Sequence, residues 1–171
     1  MLSLKEHSAL VTGSSQGIGL AIADALATSG AKVCLHGLAV DDQAQRAVEQ
    51  VSRQGARPVD LVDGDLVAEG TEGVESVFRK AIEKNPEIDL LVNNAGIGIT
   101  GPVEVQDMEA TKLAFDTNVL GYHRLSRAVL PGMRARKQGH LFAISSQLGR
   151  VIVPYAGHYS ATKFAVEAMF E

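Results

Sequence analysis

The sequence predicts an α/β fold built on a doubly wound parallel sheet, and three observations predict it. Short apolar runs of strand length alternate with longer segments of helical periodicity. The runs are largely apolar instead of alternating, as strands covered on both faces are. Clusters of Gly, Asn, Ser and Tyr fall where these runs end, which is where an open sheet of this kind places its ligands. At 171 residues, 46% hydrophobic and 21% charged, the chain has the size of one domain burying roughly 70% of its unfolded surface. Residues 1–171 are read as that single domain.

The first strand, Ser8 to Thr12, enters a glycine-rich turn and then a helix on which Ile18, Ile22 and Leu26 recur every four residues. Gly30 precedes the second strand, Ala31 to His36, and a helix follows from Asp41 to Gln54. Gly55 and Pro58 punctuate the approach to the third strand, Arg57 to Val62. A helix from Ala68 to Lys84 leads past Pro86 to the fourth strand, Ile88 to Val92. Phe115, Val119, Tyr122 and Val129, spaced by 4, 3 and 7, mark the apolar face of a long helix from Ala110 to Arg136. The fifth strand is His140 to Ser145, and a last helical segment carries Tyr159 and Lys163. Right-handed crossovers between five such strands give the order 3-2-1-4-5, a Rossmann-type sheet.

Composition excludes several classes. The net charge of −4, from 16 Lys+Arg against 20 Asp+Glu, offers no broad basic field for nucleic acid or an anionic membrane. Cys34 is the single cysteine; inside the apolar run Lys32 to Leu35 it reads as a small core residue in a reducing compartment. The start, MLSLKEHSALVTG, lacks the roughly 7 to 15 apolar residues of a secretion signal, and no stretch nears the ~20 of a membrane span. A soluble cytoplasmic protein is expected. The histidines and the cysteine show no metal-ligand spacing, so no metal is expected.

In TGSSQGIG, Gly13, Gly17 and Gly19 permit a tight turn and close backbone approach before a helix whose amides can face a pyrophosphate. Leu20 stands where a nucleoside-triphosphate loop needs Lys, which disfavours triphosphatase chemistry. With Ser15, Gln16 and Ile18 the turn forms a candidate dinucleotide site. Asp65 and Leu66 after the third strand, and Asn93, Asn94, Ala95 and Gly96 after the fourth, place small and amide side chains where an adenosine would lie. Each pair taken alone reads equally well as a turn or helix cap.

AISSQLG ends the fifth strand, and YSATK puts Tyr159 and Lys163 four residues apart on one helix face. An ammonium ~6 Å from a phenol, at an effective dielectric of ~20, favours the phenolate by ~3 kcal/mol. That brings proton exchange within reach of neutral pH. A carbonyl accepting hydride needs a proton on its oxygen; Tyr159 can supply it while a nearby serine hydroxyl polarises the same oxygen, and oxidation runs these steps backwards. An isolated Y-x-x-x-K is more often a surface Lys and a core Tyr. The serine strand and the glycine turn give this one its meaning.

Together TGSSQGIG, NNAG, Asn118 in FDTNVLG, the serines of ISSQLG and YSATK resemble the short-chain dehydrogenase/reductase family in order and approximate spacing, over the whole chain. The resemblance implies an oxidoreductase moving hydride between NAD or NADP and an alcohol or carbonyl. Within it Ser146, thirteen residues before Tyr159, is the catalytic serine, Tyr159 the acid/base, Lys163 the group that holds the nicotinamide ribose and tunes Tyr159, and Asn118 the anchor of a relay water. The cofactor-discriminating position falls at Gly37. Gln16, Gly37 and Leu38 supply neither the Asp of an NAD site nor the cation of an NADP site, and the missing cation slightly favours NAD.

LGRVIVPYAGH contributes Val151, Val153, Pro154 and Tyr155 to an apolar pocket wall, which suggests a small hydrophobic alcohol or carbonyl as substrate. The basic group Arg124, Arg127, Arg134, Arg136 and Lys137 reads as complementing the helix dipole, and His158 is given no catalytic role. The resemblance also implies a homo-oligomer, dimer or tetramer, paired through the two long helices. A different class, a non-catalytic NAD(P)-binding sensor or assembly module, is argued against by the intact Ser146, Tyr159 and Lys163. Finally, KFAVEAMFE ends on an apolar helical pattern with nothing to close it. The expectation is a chain lacking its C-terminal portion, its fifth strand an exposed edge and its pocket without a lid.

Overall fold

The computed structural model describes residues 3–67 and 73–171. Strands β1 (Ser8–Val11), β2 (Lys32–Gly37), β3 (Val59–Asp63), β4 (Leu90–Asn93) and β5 (His140–Ala143) form one parallel sheet in the order β3-β2-β1-β4-β5. The crossovers are helices α1 (Gly17–Thr28), α2 (Asp42–Gln54), α3 (Val74–Lys84), α4 (Met108–Phe115) and α5 (Gly121–Arg136); α6 (Gly157–Phe170) follows β5. The first residues of the helix expected from Ala68, 68–72, lie outside the described residues.

Successive strand residues face opposite sides, so a strand between two helical layers must be apolar at every position. In β1, Leu10 packs into the layer of α3 and α5 with Val77, Leu91, Leu125 and Val129. Its neighbour Val11 packs into the layer of α1 and α2 with Ala23, Leu35 and Val51. Each fully buried Leu or Val contributes about 1.5–3 kcal/mol of transfer free energy. Cys34 belongs to the first layer, and burial pushes its thiol up to about 12, with Asp60 adding to the rise.

Five expectations need correction. The buried stripe of α1 is Gly19, Ala23 and Ala27, one position on from the expected Ile18, Ile22 and Leu26. Small residues let the helix lie close to the sheet, and the larger ones flank it, with Ile18 exposed. The edge strands are not covered on both faces: β5 alternates exposed and half-buried, with Phe142 turned to solvent. β3 starts at Val59 instead of Arg57, since Pro58 has no N–H for the ladder; Arg57 reaches back to the Lys5 carbonyl at 2.8 Å. The long helix is two α-helices joined by a π turn, Asp116–Leu120, and it begins at Met108, where Asp107 caps it by accepting the Ala110 N–H at 2.7 Å. Arg136 does more than face a dipole, donating to the Ile88 carbonyl at 2.8 Å and tying the end of α5 to the sheet. No described helix is long and apolar enough to cross a membrane.

Candidate active site

The carboxyl ends of β1 and β4 are fastened together by Thr12. Its hydroxyl donates to the Val92 carbonyl at 3.3 Å and accepts the N–H groups of Asn94 at 2.9 Å and Ala95 at 3.0 Å. Asn94 Nδ2 donates to the carbonyls of Thr12 at 2.8 Å and Gly13 at 3.0 Å. Its amide protons are therefore spent on splinting the glycine turn. Sequence reasoning missed Thr12, whose signal was only a hydroxyl at the end of an apolar strand.

The turn is glycine-dependent by contact as well as by conformation. Gly13 has φ +60°, and a Cβ there would lie 2.9 Å from Ala95 Cα; a Cβ on Gly19 would strike Asn94 Nδ2 and the Gly13 carbonyl. The absent side chains leave a cleft of about 770 Å³ along the carboxyl ends of the strands. Gly13, Ser15, Gln16, Ile18, Gly37, Asp65, Leu66, Asn94, Ala95, Gly96, Tyr159 and Lys163 all line it. Gly17, Gly19, Asn118 and Ser146 are not among the lining residues, whereas Ser145 is. At the Gly37 end Gln43 Nε2 donates to Gln16 Oε1 at 2.7 Å, and Leu38, Ala39 and Asp41 complete that end, which carries no Lys or Arg among the described residues.

At the opposite end, α6 carries Tyr159 and Lys163 into the cleft. Lys163 is 4% exposed; its ammonium donates to the Ile144 carbonyl at 2.7 Å and lies 5.9 Å from the Tyr159 ring centre and 5.5 Å from that of Tyr122. Desolvation pulls the Lys163 pKa below its ordinary value. Tyr122 is fully buried, and burial, then the neighbouring Tyr159, push its phenol well up, so it is no acid at neutral pH.

The two serines diverge. Ser146 Oγ caps the turn Gln147–Gly149, accepting the Leu148 N–H at 3.1 Å, which leaves its own proton to donate. Ser145 Oγ turns toward Gly149, where a Cβ would meet it at 2.8 Å and Glu167 Cγ at 3.1 Å. Arg150 clamps this turn to α6 through Glu167, at 2.6 Å, and Glu171, at 2.9 Å.

Asn118 sits fully buried in the π turn. Its Oδ1 accepts the Ile97 N–H at 2.8 Å, and Nδ2 donates to the Ile97 carbonyl at 2.9 Å and to Thr162 Oγ1 at 3.1 Å. Thr162 in turn donates to the Tyr159 carbonyl at 2.7 Å. The side chain thus braces α6 against the loop after β4.

Residues 7–171 match the family model described as short chain dehydrogenase. The chain is 37% identical to retinol dehydrogenase 8 of Homo sapiens over 165 residues, which are 96% of this chain and 52% of that protein. It thus spans about half the length of that curated relative. Among solved structures, an alcohol dehydrogenase from the archaeon Thermococcus sibiricus complexed with 5-hydroxy-NADP superimposes with a TM-score of 0.87 at 29% identity, over 95% of this chain and 68% of that one. A metagenomic short-chain oxidoreductase in complex with NADP gives 0.88 at 29% identity, over 97% of this chain and 74% of that one.

Proposed function

Since the chain belongs to the short-chain dehydrogenase family, we propose that it transfers hydride between a nicotinamide dinucleotide and an alcohol or carbonyl. The observation that carries this reading is one continuous cleft with the glycine turn at one end and Tyr159 with Lys163 at the other. The residues fit a dinucleotide: Cβ atoms are missing at Gly13 and Gly19 where the backbone must close up, and the first amides of α1 have no partners within the helix. The turn from Gly13 to Gly19 would hold the pyrophosphate, Asp65, Leu66, Ala95 and Gly96 the adenosine, and Lys163 the nicotinamide ribose. When bound, the cofactor supplies the hydride donor or acceptor.

The chain's own groups handle the proton and the orientation. Tyr159 Oη gives a proton to the substrate oxygen in reduction and takes it in oxidation. Lys163, held by the Ile144 carbonyl, keeps positive charge beside that phenol. Ser146 Oγ, which accepts the Leu148 N–H, keeps its own proton to donate to the same oxygen once substrate is bound. The Asn118 turn fixes the distance between α6 and the loop after β4.

The absence of a lining cation at the Gly37 end supports a modest preference for NAD, although the two solved relatives carry NADP or its derivative. Exposed Val151, Val153 and Tyr155 support a hydrophobic substrate, as does the likeness to a retinol dehydrogenase. Exposed apolar residues in the π turn and on α6, among them Leu120, Phe164 and Met169, support pairing of two copies, which light scattering reads as mass. The test of function is NADH and NADPH fluorescence on mixing with the chain, followed by a panel of apolar ketones and aldehydes. Binding with oxidation of the cofactor is expected. Failure to bind either cofactor overturns the reading.

A further inference from the structure

We propose that His36 is a positioning residue for the dinucleotide site, a cross-brace that fixes the glycine turn relative to the chain leaving β3. This rests on the cofactor reading above. His36 is the last residue but one of β2, immediately before Gly37, is 2% exposed and lines the cleft. Its Nδ1 accepts the Gly13 N–H at 3.2 Å, and its Nε2 lies 3.0 Å from the Gly64 carbonyl.

A carbonyl only accepts and an N–H only donates. Both contacts are therefore satisfied by one tautomer alone, neutral imidazole with its proton on Nε2. The imidazolium would set an N–H against the Gly13 N–H. Burial holds the ring neutral by pulling its pKa to about 4, against the opposing pulls of the Gly64 carbonyl and of Asp63 and Asp65, with Lys80 acting in the same direction as burial.

The backbone of the same residue adds two more ties. The Ser14 N–H donates to the His36 carbonyl at 2.9 Å, and Ser14 Oγ accepts the His36 N–H at 3.0 Å. Ser14 Oγ itself donates to Val11 O at 2.7 Å. The amides of Gly13 and Ser14 are thereby spent inside the protein, leaving a bound anion to the amides that begin α1. Gly64 directly precedes Asp65 and Leu66, and its own N–H donates to the Gly37 carbonyl at 3.1 Å. The imidazole thus sets the spacing between the pyrophosphate side of the cleft and its adenosine side. An apolar ring of similar size would fill the space but leave the Gly13 N–H and the Gly64 carbonyl unpaired, at the cost that buried polar groups incur.

The test uses the chain as it stands, with three readouts. Imidazole ¹⁵N shifts should show an unprotonated Nδ1 and a protonated Nε2 at neutral pH. Exchange of the Gly13 amide should be slow in the native chain and at least tenfold faster in His36→Phe. NADH affinity, read by fluorescence, should fall about tenfold in His36→Phe and recover in part in His36→Asn, whose Oδ1 can take the Gly13 N–H but cannot reach Gly64. A purely space-filling role predicts the opposite order, with Phe the better replacement. The Nδ1–H tautomer, or NADH affinity within twofold of native in both variants, overturns the brace. If the native chain binds no dinucleotide, the cofactor reading fails, while the tautomer and the Gly13 exchange still decide the brace. If His36→Phe does not fold, His36→Asn and the tautomer decide it.

Discussion

Lys163 combines a buried ammonium, a single carbonyl partner and two aromatic faces within 6 Å. Cation–π contacts with Tyr122 and Tyr159 offset part of the desolvation that pulls its pKa down. Replacing it by Ala removes the charge and leaves the Ile144 carbonyl unpaired, so Lys163→Ala should weaken NADH binding and slow turnover together. A change in one without the other would separate the two roles. Tyr159→Phe keeps the ring beside Lys163 and deletes the transferable proton. Its expected result is a loss of turnover on the order of 100-fold or more, with NADH affinity within about threefold of native by fluorescence titration; retained turnover would reassign the acid.

Between elements, the turns carry the strain. Tyr155 has φ +66° and is exposed, yet its carbonyl accepts the Gly101 N–H at 2.7 Å and joins the loop after β4 to the entry of α6. A bulky residue in the left-handed region costs of order 1–3 kcal/mol. Tyr155→Gly should therefore raise the thermal midpoint, by an amount corresponding to about 1 kcal/mol, while weakening turnover of apolar substrates if the exposed ring helps to bind them. A lowered midpoint would show that the ring's contacts outweigh the strain. The two glycines flanking Ile18 should differ in kind. Gly17 has open space around a Cβ but φ +57°, whereas Gly19 is blocked by Asn94 and Gly13. Gly17→Ala should cost about 1–2 kcal/mol of conformational strain. Gly19→Ala carries no such strain but should displace Asn94 and abolish dinucleotide binding, measured by urea unfolding and NADH titration on the same samples.

Over the whole molecule, two buried groups couple stability to pH at opposite ends of the sheet. His36 has a folded pKa near 4, below its ordinary value of 6.5, so the unfolded chain binds the extra proton between those values and stability falls as pH drops through that window. The loss approaches roughly 3 kcal/mol by pH 4. At the other end Asp89 is pushed up by burial, but the Ser8 N–H and the side chains of His7 and Gln138 outweigh this and hold it below the usual carboxylate range. Its contribution is present above the unfolded pKa and is lost as pH falls through the lower folded one. Urea unfolding from pH 7 to 3 should show the first decline below pH 6.5 and a further one below about 4. His36→Asn should flatten the first and Asp89→Asn the second. A native chain equally stable at pH 6.5 and 4.5 would contradict the His36 assignment.

The order of the sheet and the end of it that holds the site were legible because they follow from local signals. Strand length, continuous apolarity and right-handed crossover restrict the topology to very few choices, and Gly13, Tyr159 and Lys163 stand at the points where such a sheet opens. The apolar periodicity of α1 pointed one residue off, because close packing against a sheet selects small residues such as Ala23 and Ala27, which a hydrophobicity pattern underweights. Spacing to Tyr159 selects Ser146, whereas in the fold Ser145 is the serine among the lining residues of the cleft, a placement set by the turn after β5 and not by local sequence. In sequence Asn94 reads as a pocket lining and Asn118 as the anchor of a relay water; in the fold Asn94 lines the cleft with its Nδ2 engaged by two backbone carbonyls, and the Asn118 amide bonds Ile97 and Thr162, partners brought from elsewhere in the chain. His36 gave no signal at all. A histidine's tautomer depends on which donor and which acceptor meet its two nitrogens, and Gly13 and Gly64 reach it from the turns that follow two other strands. Sequence by itself determined the sheet and its chemistry-bearing end through short-range periodicity and glycine geometry. The tertiary structure alone decided which polar atoms are spent holding that end together and which are left to face a ligand, because hydrogen-bond partners distant in sequence meet only once the chain has folded.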